Sequence, residues 1–322
     1  MMSTPKISSP VLEAKDIVKH FKVKDGRVAR AIDGVSFELM PGETLGLIGE
    51  SGCGKSTLAR VLSRLEEPTG GTIHIKGQDI THLSHRQMIP VRQNCQMIFQ
   101  DAVSSLNPRA NAGELVAEPL RIHRLVPKSE IKDRVAELFK GVGLNPDMMT
   151  RYPHEMSGGQ CQRVNIARAI SLNPDIIIAD EAVSALDVSI QAQVINLLGD
   201  IQSRMGLSYI FITHDMAVVG VISHRIAVMY LGKFVEYSTK AEIIRNPLHP
   251  YTQALLDASP IPNPSRSKRQ RQIVRGELPS PISPPSGCHF HPRCPKATEL
   301  CKTEKPVLRE VLPGHMVSCH LV

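Results

Sequence analysis

Tryptophan is absent from the 322-residue sequence, and aromatic residues make up only 4% of it. Proteins that grip single-stranded nucleic acid stack bases on aromatic rings, so this scarcity argues against such a platform. Long apolar runs are missing too. The longest candidate, "YIFITHDMAVVGVISHRIAVMYLG" from Tyr209, is broken by Thr-His-Asp and Ser-His-Arg. It falls short of the ~18 uninterrupted apolar residues that cross a bilayer. The opening "MMSTPKISSPVLEAKD" has no apolar h-region, so no signal peptide is expected. Internal repeats are not visible. Charge is nearly balanced in the body, because ten Lys/Arg against four Asp/Glu within 262–322 supply almost all of the net +7. That basic tail suits an anionic membrane surface, a nucleic acid or a solvated linker. The remaining composition, 42% apolar and 21% charged, is that of a globular chain. Its length accommodates one large α/β domain plus an appendage, or two modest domains. The chain is expected to be soluble or peripheral, and an intracellular address would favour free or metal-bound thiols over disulfides.

The strongest positive signal is "LGLIGESGCGKSTLARVLSRL". Leu45 to Ile48 read as a short buried strand, and a helical pattern follows Lys55. Between them Gly49, Glu50, Ser51, Gly52, Cys53, Gly54, Lys55, Ser56 and Thr57 form a G-x4-G-K-S-T loop. Glycines let successive N–H groups curl toward phosphate oxygens, and the helix N-terminus adds its positive end. Lys55 would reach the β- and γ-phosphates of ATP, and the Ser56 hydroxyl would sit on Mg²⁺. Cys53 is either a small loop residue or a thiol acidified by the helix N-terminus.

A second segment, "PDIIIADEAVSALD", reads as a fully buried parallel strand ending in Asp180-Glu181. Asp180 would hold Mg²⁺, and Glu181 would polarise the water that attacks the γ-phosphate. Alone, Asp-Glu after an apolar run is often just a strand end meeting solvent. Together with the phosphate loop it describes a nucleoside triphosphatase.

Between these elements lies "MSGGQCQRVNIARAI", with Ser157, Gly158, Gly159 and Gln160 opening a helical segment. This segment resembles the signature of the ABC ATPases, and the resemblance covers about residues 11–250. It implies an α/β fold: a RecA-like P-loop core, an antiparallel β lobe and an α-helical subdomain. It also implies site roles. Phe21 would lie against adenine, Gln100 would sense Mg²⁺ and the γ-phosphate, and His214 would face that phosphate. Asp187 closes the "SALD" D-loop. Met156 stands where leucine is usual, and Ala182 where proline usually follows the glutamate. The signature glycines close, in this family, on the nucleotide of a partner, so a second ABC ATPase subunit is expected from another chain.

"SSLNPR" (Ser104 to Arg109), "NPLHPYTQALLDASP" and "RGELPSPISPPSGCHFHPRC" are similar to the oligopeptide and dipeptide permease ATPases, and closest to the second of their two ATPase subunits. The resemblance implies an ATP-hydrolysing subunit of a bacterial importer, peripheral on the cytoplasmic face of the inner membrane. Its expected partners are two integral membrane permease subunits and, through them, a periplasmic substrate-binding protein, with no nucleic acid. Relatives of this build carry peptides, nickel, glutathione or other small solutes. A soluble ABC ATPase working on nucleic acid or ribosomes is the alternative; such proteins generally carry two cassettes or long inserts, which this chain lacks.

Cys288, Cys294, Cys301 and Cys319 are spaced C-x5-C-x6-C-x17-C, away from Cys53, Cys95 and Cys161. The sequence divides into a nucleotide-binding domain over 1–258 (helical subdomain about 101–165), a Pro/Arg-rich linker over 259–287 and a Cys-rich metal-binding extension over 288–322. The extension has too few apolar residues for its own core, so a staple is expected. Zinc usually wants short C-x2-C knuckles, which are missing, while four thiolates also suit iron–sulfur. The family resemblance implies a [4Fe–4S] cluster, with zinc as the alternative. His289, His291 and His320 read as surface residues.

Overall fold

Alternation and unbroken apolar runs divide the strands into two kinds. The computed structural model describes residues 9–24, 26–258 and 276–322. Its strands, in chain order, are β1 (Leu12–Lys22), β2 (Val28–Leu39), β3 (Thr44–Ile48), β4 (Gly70–Ile75), β5 (Gln78–Asp79) and β6 (Cys95–Ile98). They continue with β7 (Ile176–Asp180), β8 (Ser208–Thr213), β9 (Arg225–Tyr230), β10 (Lys233–Thr239), β11 (Arg309–Leu312) and β12 (His315–Val317). The helices begin with α1 (Lys55–Leu62), α2 (Met88–Asn94), α3 (Ala112–His123), α4 (Ile131–Gly141) and α5 (Gly158–Ile170). After them come α6 (Val188–Met205), α7 (Met216–Ile222), α8 (Lys240–Arg245), α9 (Pro250–Ala258) and α10 (Glu299–Thr303).

The chain forms two units. Of the described residues, the first draws on 9–11, Met40–Glu43 and His82–Ile210, the second on 12–24, 26–39, Thr44–Thr81, 211–258 and 276–322. Their boundary falls inside β8.

In the second unit β2 alternates more and less buried residues, as a sheet with one wet face requires, whereas register shifts after Ala14 and after Lys19 interrupt the alternation of β1. They join β4 and β5 in an antiparallel sheet of order β2-β1-β4-β5. By contrast β3, "TLGLI", is buried at every position and pairs in parallel with β9, Leu45 opposite Arg225 and Ile48 opposite Val228. Both faces of β3 are covered, which explains the loss of alternation.

The C-terminal segment does not stand apart with a core of its own. Strand β12 pairs antiparallel with β10, placing Val317 opposite Glu236, and β11 pairs with β12. Phe290 enters the same apolar cluster as Ile48, Tyr230, Val235 and Tyr251, with Leu278, Cys288 and Cys294 packed on its margin. Too few apolar residues for a private core is therefore no obstacle, because the segment borrows one. Beneath it, the fully buried Glu236 carboxylate accepts from His315 Nε2 at 2.7 Å and from the N–H groups of Leu248 (2.7 Å) and His249 (3.0 Å). A buried carboxylate is tolerable only with such saturation. Of the expected linker over 259–287, residues 259–275 lie outside the described residues. Within the remainder, which contains turns and bends, Pro281 accepts a backbone hydrogen bond from Arg30 at 3.0 Å, anchoring this stretch at β2.

In the first unit β6 and β7 pair in parallel, Cys95 opposite Ile176 and Ile98 opposite Ala179. Helix α3 starts at a capping box, Asn111 accepting from Glu114 N while the Glu114 side chain accepts from Asn111 N. It packs on α4 and α5. No helix among the described residues is long and apolar enough to cross a membrane.

Candidate functional site

The phosphate loop belongs to the second unit and is shaped by backbone constraints. A Cβ on Gly49 would lie 2.2 Å from the Met229 carbonyl oxygen, and one on Gly54 2.3 Å from that of Ala31. Gly54 also has φ 113°, so only glycine fits. Helix α1 follows with no side chain capping its first turn and no acidic residue there. An N-terminus of this kind keeps its amide donors and positive dipole end for an anion. The Lys55 side chain is buried, its Nζ donating to the carbonyls of Gly49 (2.7 Å) and Glu50 (3.0 Å).

Cys53 faces inward and is 1% exposed. Burial pushes its thiol above the usual range, and the nearby Lys55 only partly offsets this. Burial thus works against an acidified thiol and favours the plain reading of Cys53 as a small loop residue. Ser51 and Gly52 are exposed, while Ser56 and Thr57 on the first turn of α1 are half-buried.

Phe21 lies on β1, half-exposed, with Lys19 Nζ 4.7 Å from its ring centroid. An exposed ring with a neighbouring cation can stack on a nucleobase. His214 follows β8 and is exposed.

The first unit carries the acidic set. Asp180 ends the all-buried β7 and is itself 4% exposed. Glu181, half-buried, adopts φ 47°, a left-handed conformation that turns the chain sharply at the strand end. Its Oε2 accepts from Gln100 Nε2 at 2.8 Å, bringing together two residues 81 positions apart. Ala182, where proline would be usual, is buried, and Ser184 N and Oγ both donate to the Glu181 carbonyl (3.1 and 2.9 Å). These bonds hold the turn that the missing proline would otherwise restrain.

The signature also sits in the first unit. Ser157 caps α5, accepting from Gln160 N at 3.3 Å while Gln160 Oε1 accepts from Ser157 N at 2.9 Å. A Cβ on Gly159 would come 2.7 Å from Ile190 Cγ2, so the crossing of α5 with α6 requires glycine there. Gly158, by contrast, would make only ordinary contact with Leu186. Ser157, Gly158, Asp187 and Val188 are all exposed.

All seven cysteines are free thiols. Among the described residues no group of three His, Cys, Asp or Glu side chains is placed to hold a metal ion, so neither the expected [4Fe–4S] cluster nor its zinc alternative is supported by the geometry. The four C-terminal thiols are nevertheless mutual neighbours. Burial, then the charges of Cys301, Cys319 and Cys294, push Cys288 up to about 11. Burial first, then like neighbours among the four, also raises Cys294 and Cys319. Leu321 N donates to Cys319 Sγ at 3.4 Å, and the Cys288 N–H donates to the Cys301 carbonyl at 2.8 Å. His289 is buried rather than on the surface, with no hydrogen bond to either ring nitrogen. His291 Nδ1 is 2.9 Å from the Cys288 carbonyl and His320 Nε2 2.9 Å from that of Glu304.

Sequence reasoning passed over Arg293. Its guanidinium grips Glu50 of the phosphate loop with both terminal nitrogens, Nη1 to Oε2 at 2.6 Å and Nη2 to Oε1 at 3.0 Å. Only the "HPRC" context could have drawn attention to it.

Known proteins resemble this chain over most of its length. The family described as "ABC transporter" matches residues 32–184, and "Oligopeptide/dipeptide transporter, C-terminal region" matches 235–301. The oligopeptide transport ATP-binding protein AppF of Bacillus subtilis (strain 168) is 52% identical over 97% of this chain and 97% of its own length. The oligopeptide transport ATP-binding protein OppF of Escherichia coli (strain K12) is 51% identical over 96% of this chain and 95% of its own. Among solved structures, the dimeric post-hydrolysis state of the ATP-binding cassette MJ0796 bound to ADP and Pi superposes with a TM-score of 0.66. It is 28% identical, covering 71% of this chain and 98% of that one.

Proposed function

As the chain belongs to the ABC transporter family, in its oligopeptide-transport ATP-binding branch, we propose that it hydrolyses ATP to drive peptide uptake through a bacterial importer. The observation that carries the chemistry is a glycine-shaped loop feeding an uncapped helix N-terminus, with Lys55 resting on loop carbonyls. An arriving triphosphate offers Lys55 stronger, charged acceptors than those carbonyls, and the loop amides accept the remaining phosphate oxygens. Phe21 lies against the adenine. Mg²⁺, when bound, neutralises charge developing on the β- and γ-oxygens. Ser56, Gln100 and Asp180 are the hard oxygen donors that would hold it. Glu181 takes the proton of the attacking water, and the Gln100 amide keeps its carboxylate aimed. His214 faces the γ-phosphate.

The exposed signature, Ser157 to Gln160, with Asp187 receives the nucleotide of a second ABC ATPase subunit. The dimeric state of the MJ0796 cassette supports that arrangement. Two permease subunits and a periplasmic substrate-binding protein complete the importer, with this subunit peripheral on the cytoplasmic face of the inner membrane.

The four C-terminal thiols suit a [4Fe–4S] cluster better than a single ion, because a cluster distributes its ligands over several irons. Cys288, Cys294, Cys301 and Cys319 would hold it, and the N–H of Leu321 directed at Cys319 Sγ would stabilise thiolate charge. Its role would be a structural staple. Protein purified without oxygen should be brown with broad visible absorption, and a colourless, zinc-containing sample would refute the cluster.

The test of the ATPase assignment is a pair of variants. Glu181→Gln keeps an acceptor for Gln100 but loses the base, so turnover should fall about 10²–10⁴-fold while ATP-bound dimers accumulate. Lys55→Ala should lose nucleotide binding altogether. Unchanged turnover in both variants would defeat the assignment.

A further inference from the structure

A loop built to receive a polyanion carries a carboxylate of its own. Glu50 directly follows Gly49, and its backbone is already committed: its N–H donates to the Tyr251 hydroxyl at 2.8 Å, and its carbonyl accepts from Lys55 Nζ at 3.0 Å. An unpaired carboxylate here would have two harmful options. It could swing onto the Lys55 ammonium, competing with phosphate, or stay near the triphosphate and repel it.

Neither happens, because Arg293 holds both carboxylate oxygens in a fork. The Arg293 side chain is 7% exposed and that of Glu50 29%, so solvent screens the pair only partly. The guanidinium is itself held in place. Nη1 lies 3.5 Å from the Tyr230 hydroxyl, and Cζ lies 5.9 Å from the Tyr230 ring centroid. The short turn His291–Arg293 is fixed on either side by the buried Phe290 and by Cys294. Elsewhere in the segment, Leu278 lies beside Gly52, its Cδ2 3.7 Å from where a Cβ would stand. The C-terminal segment thus touches the phosphate loop at Glu50 through a two-point ion pair.

We propose that Arg293 is a positioning residue for nucleotide binding: it neutralises and immobilises Glu50, so that the C-terminal segment sets the affinity of the phosphate loop for ATP. The inference rests on the nucleotide-binding reading given above. Arginine suits the task because its planar fork satisfies both oxygens at once, which a lysine ammonium cannot do.

The experiment uses the full-length purified protein and Mg²⁺·TNP-ATP as the fluorescent probe, with thermal midpoints recorded in parallel. Arg293→Met keeps most of the side-chain volume but frees the carboxylate, and should weaken binding about tenfold, equivalent to about 1.4 kcal/mol. In turnover assays the loss should fall on KM for ATP and leave kcat in place, since uniform binding is what is lost. Arg293→Lys should recover part of the affinity. The double variant Glu50→Gln/Arg293→Met removes the exposed charge and should return the Kd to within about twofold of wild type, a coupling that packing alone would not produce. Arg293→Met binding as tightly as wild type would overturn the inference. So would a double variant as weak as Arg293→Met, which would assign the loss to packing. Lys55→Ala binding the probe as well as wild type would instead overturn the nucleotide reading itself, and the inference with it.

Discussion

Replacing Phe290 with alanine tests how the C-terminal segment is held. The ring is 1% exposed and sits in an aromatic cage, its centroid 5.2 Å from Tyr230, 5.3 Å from Tyr251 and 5.7 Å from His249. The ring meets Tyr230 edge-on at 82° and Tyr251 at a tilt of 56°; an edge-to-face pair contributes about 0.5–1.5 kcal/mol beyond area burial. Truncation would also leave a cavity between β9 and α9 that rigid rings cannot fill by relaxing. Phe→Ala at such a site costs about 3–5 kcal/mol. Phe290→Leu, which conserves most of the volume, should cost under about 1.5 kcal/mol. The assay is urea denaturation followed by far-UV circular dichroism, because the chain has no tryptophan to report by fluorescence. The loss should appear in the transition of the unit that contains the C-terminal segment, as two units need not unfold together. A cost below about 0.5 kcal/mol, the level of a surface substitution, would show that Phe290 is not part of the core and would remove the basis for a docked segment.

Two further substitutions follow from the geometry. Gly159→Val forces a side chain against Ile190, 2.7 Å away at Cβ, and should destabilise the first unit by about 1–3 kcal/mol; adding Ile190→Ala should recover part of this, as read from urea midpoints. His249 is buried and neutral, its pKa lowered by burial from 6.5 to about 3. The unfolded chain therefore takes up a proton below about pH 6.5 that the folded chain refuses until about pH 3, so stability falls as pH drops through that window. Between pH 8 and pH 5 the contribution is about 2 kcal/mol. His249→Gln should lose that part of the pH dependence, and an unchanged slope would contradict the burial argument.

Legibility tracked sequence distance. The phosphate loop, β3 and β7 were readable because their physics is local: glycine freedom, a helix N-terminus, an apolar run with no polar face. The helix start at Ser157 was likewise local, and the structure closes it with a capping box between Ser157 and Gln160. Glu181 was readable as a candidate base, but not its hydrogen bond to Gln100 across 81 positions or its left-handed backbone. The His289 reading failed because a polar residue among cysteines and prolines gave no sign that Phe290 would pull it inward.

By itself, the order of residues determined the chemistry on offer: which amides, carboxylates and thiols exist, and which neighbours share a turn. Only the folded chain decided that the C-terminal segment would lend Phe290 and Val317 to the core beside β10, and that Arg293 would reach Glu50 across 243 positions. The reason is physical. A turn or helix start is set by contacts a few residues apart, whereas a strand partner or a buried ion pair is chosen by where the whole chain places its apolar surface.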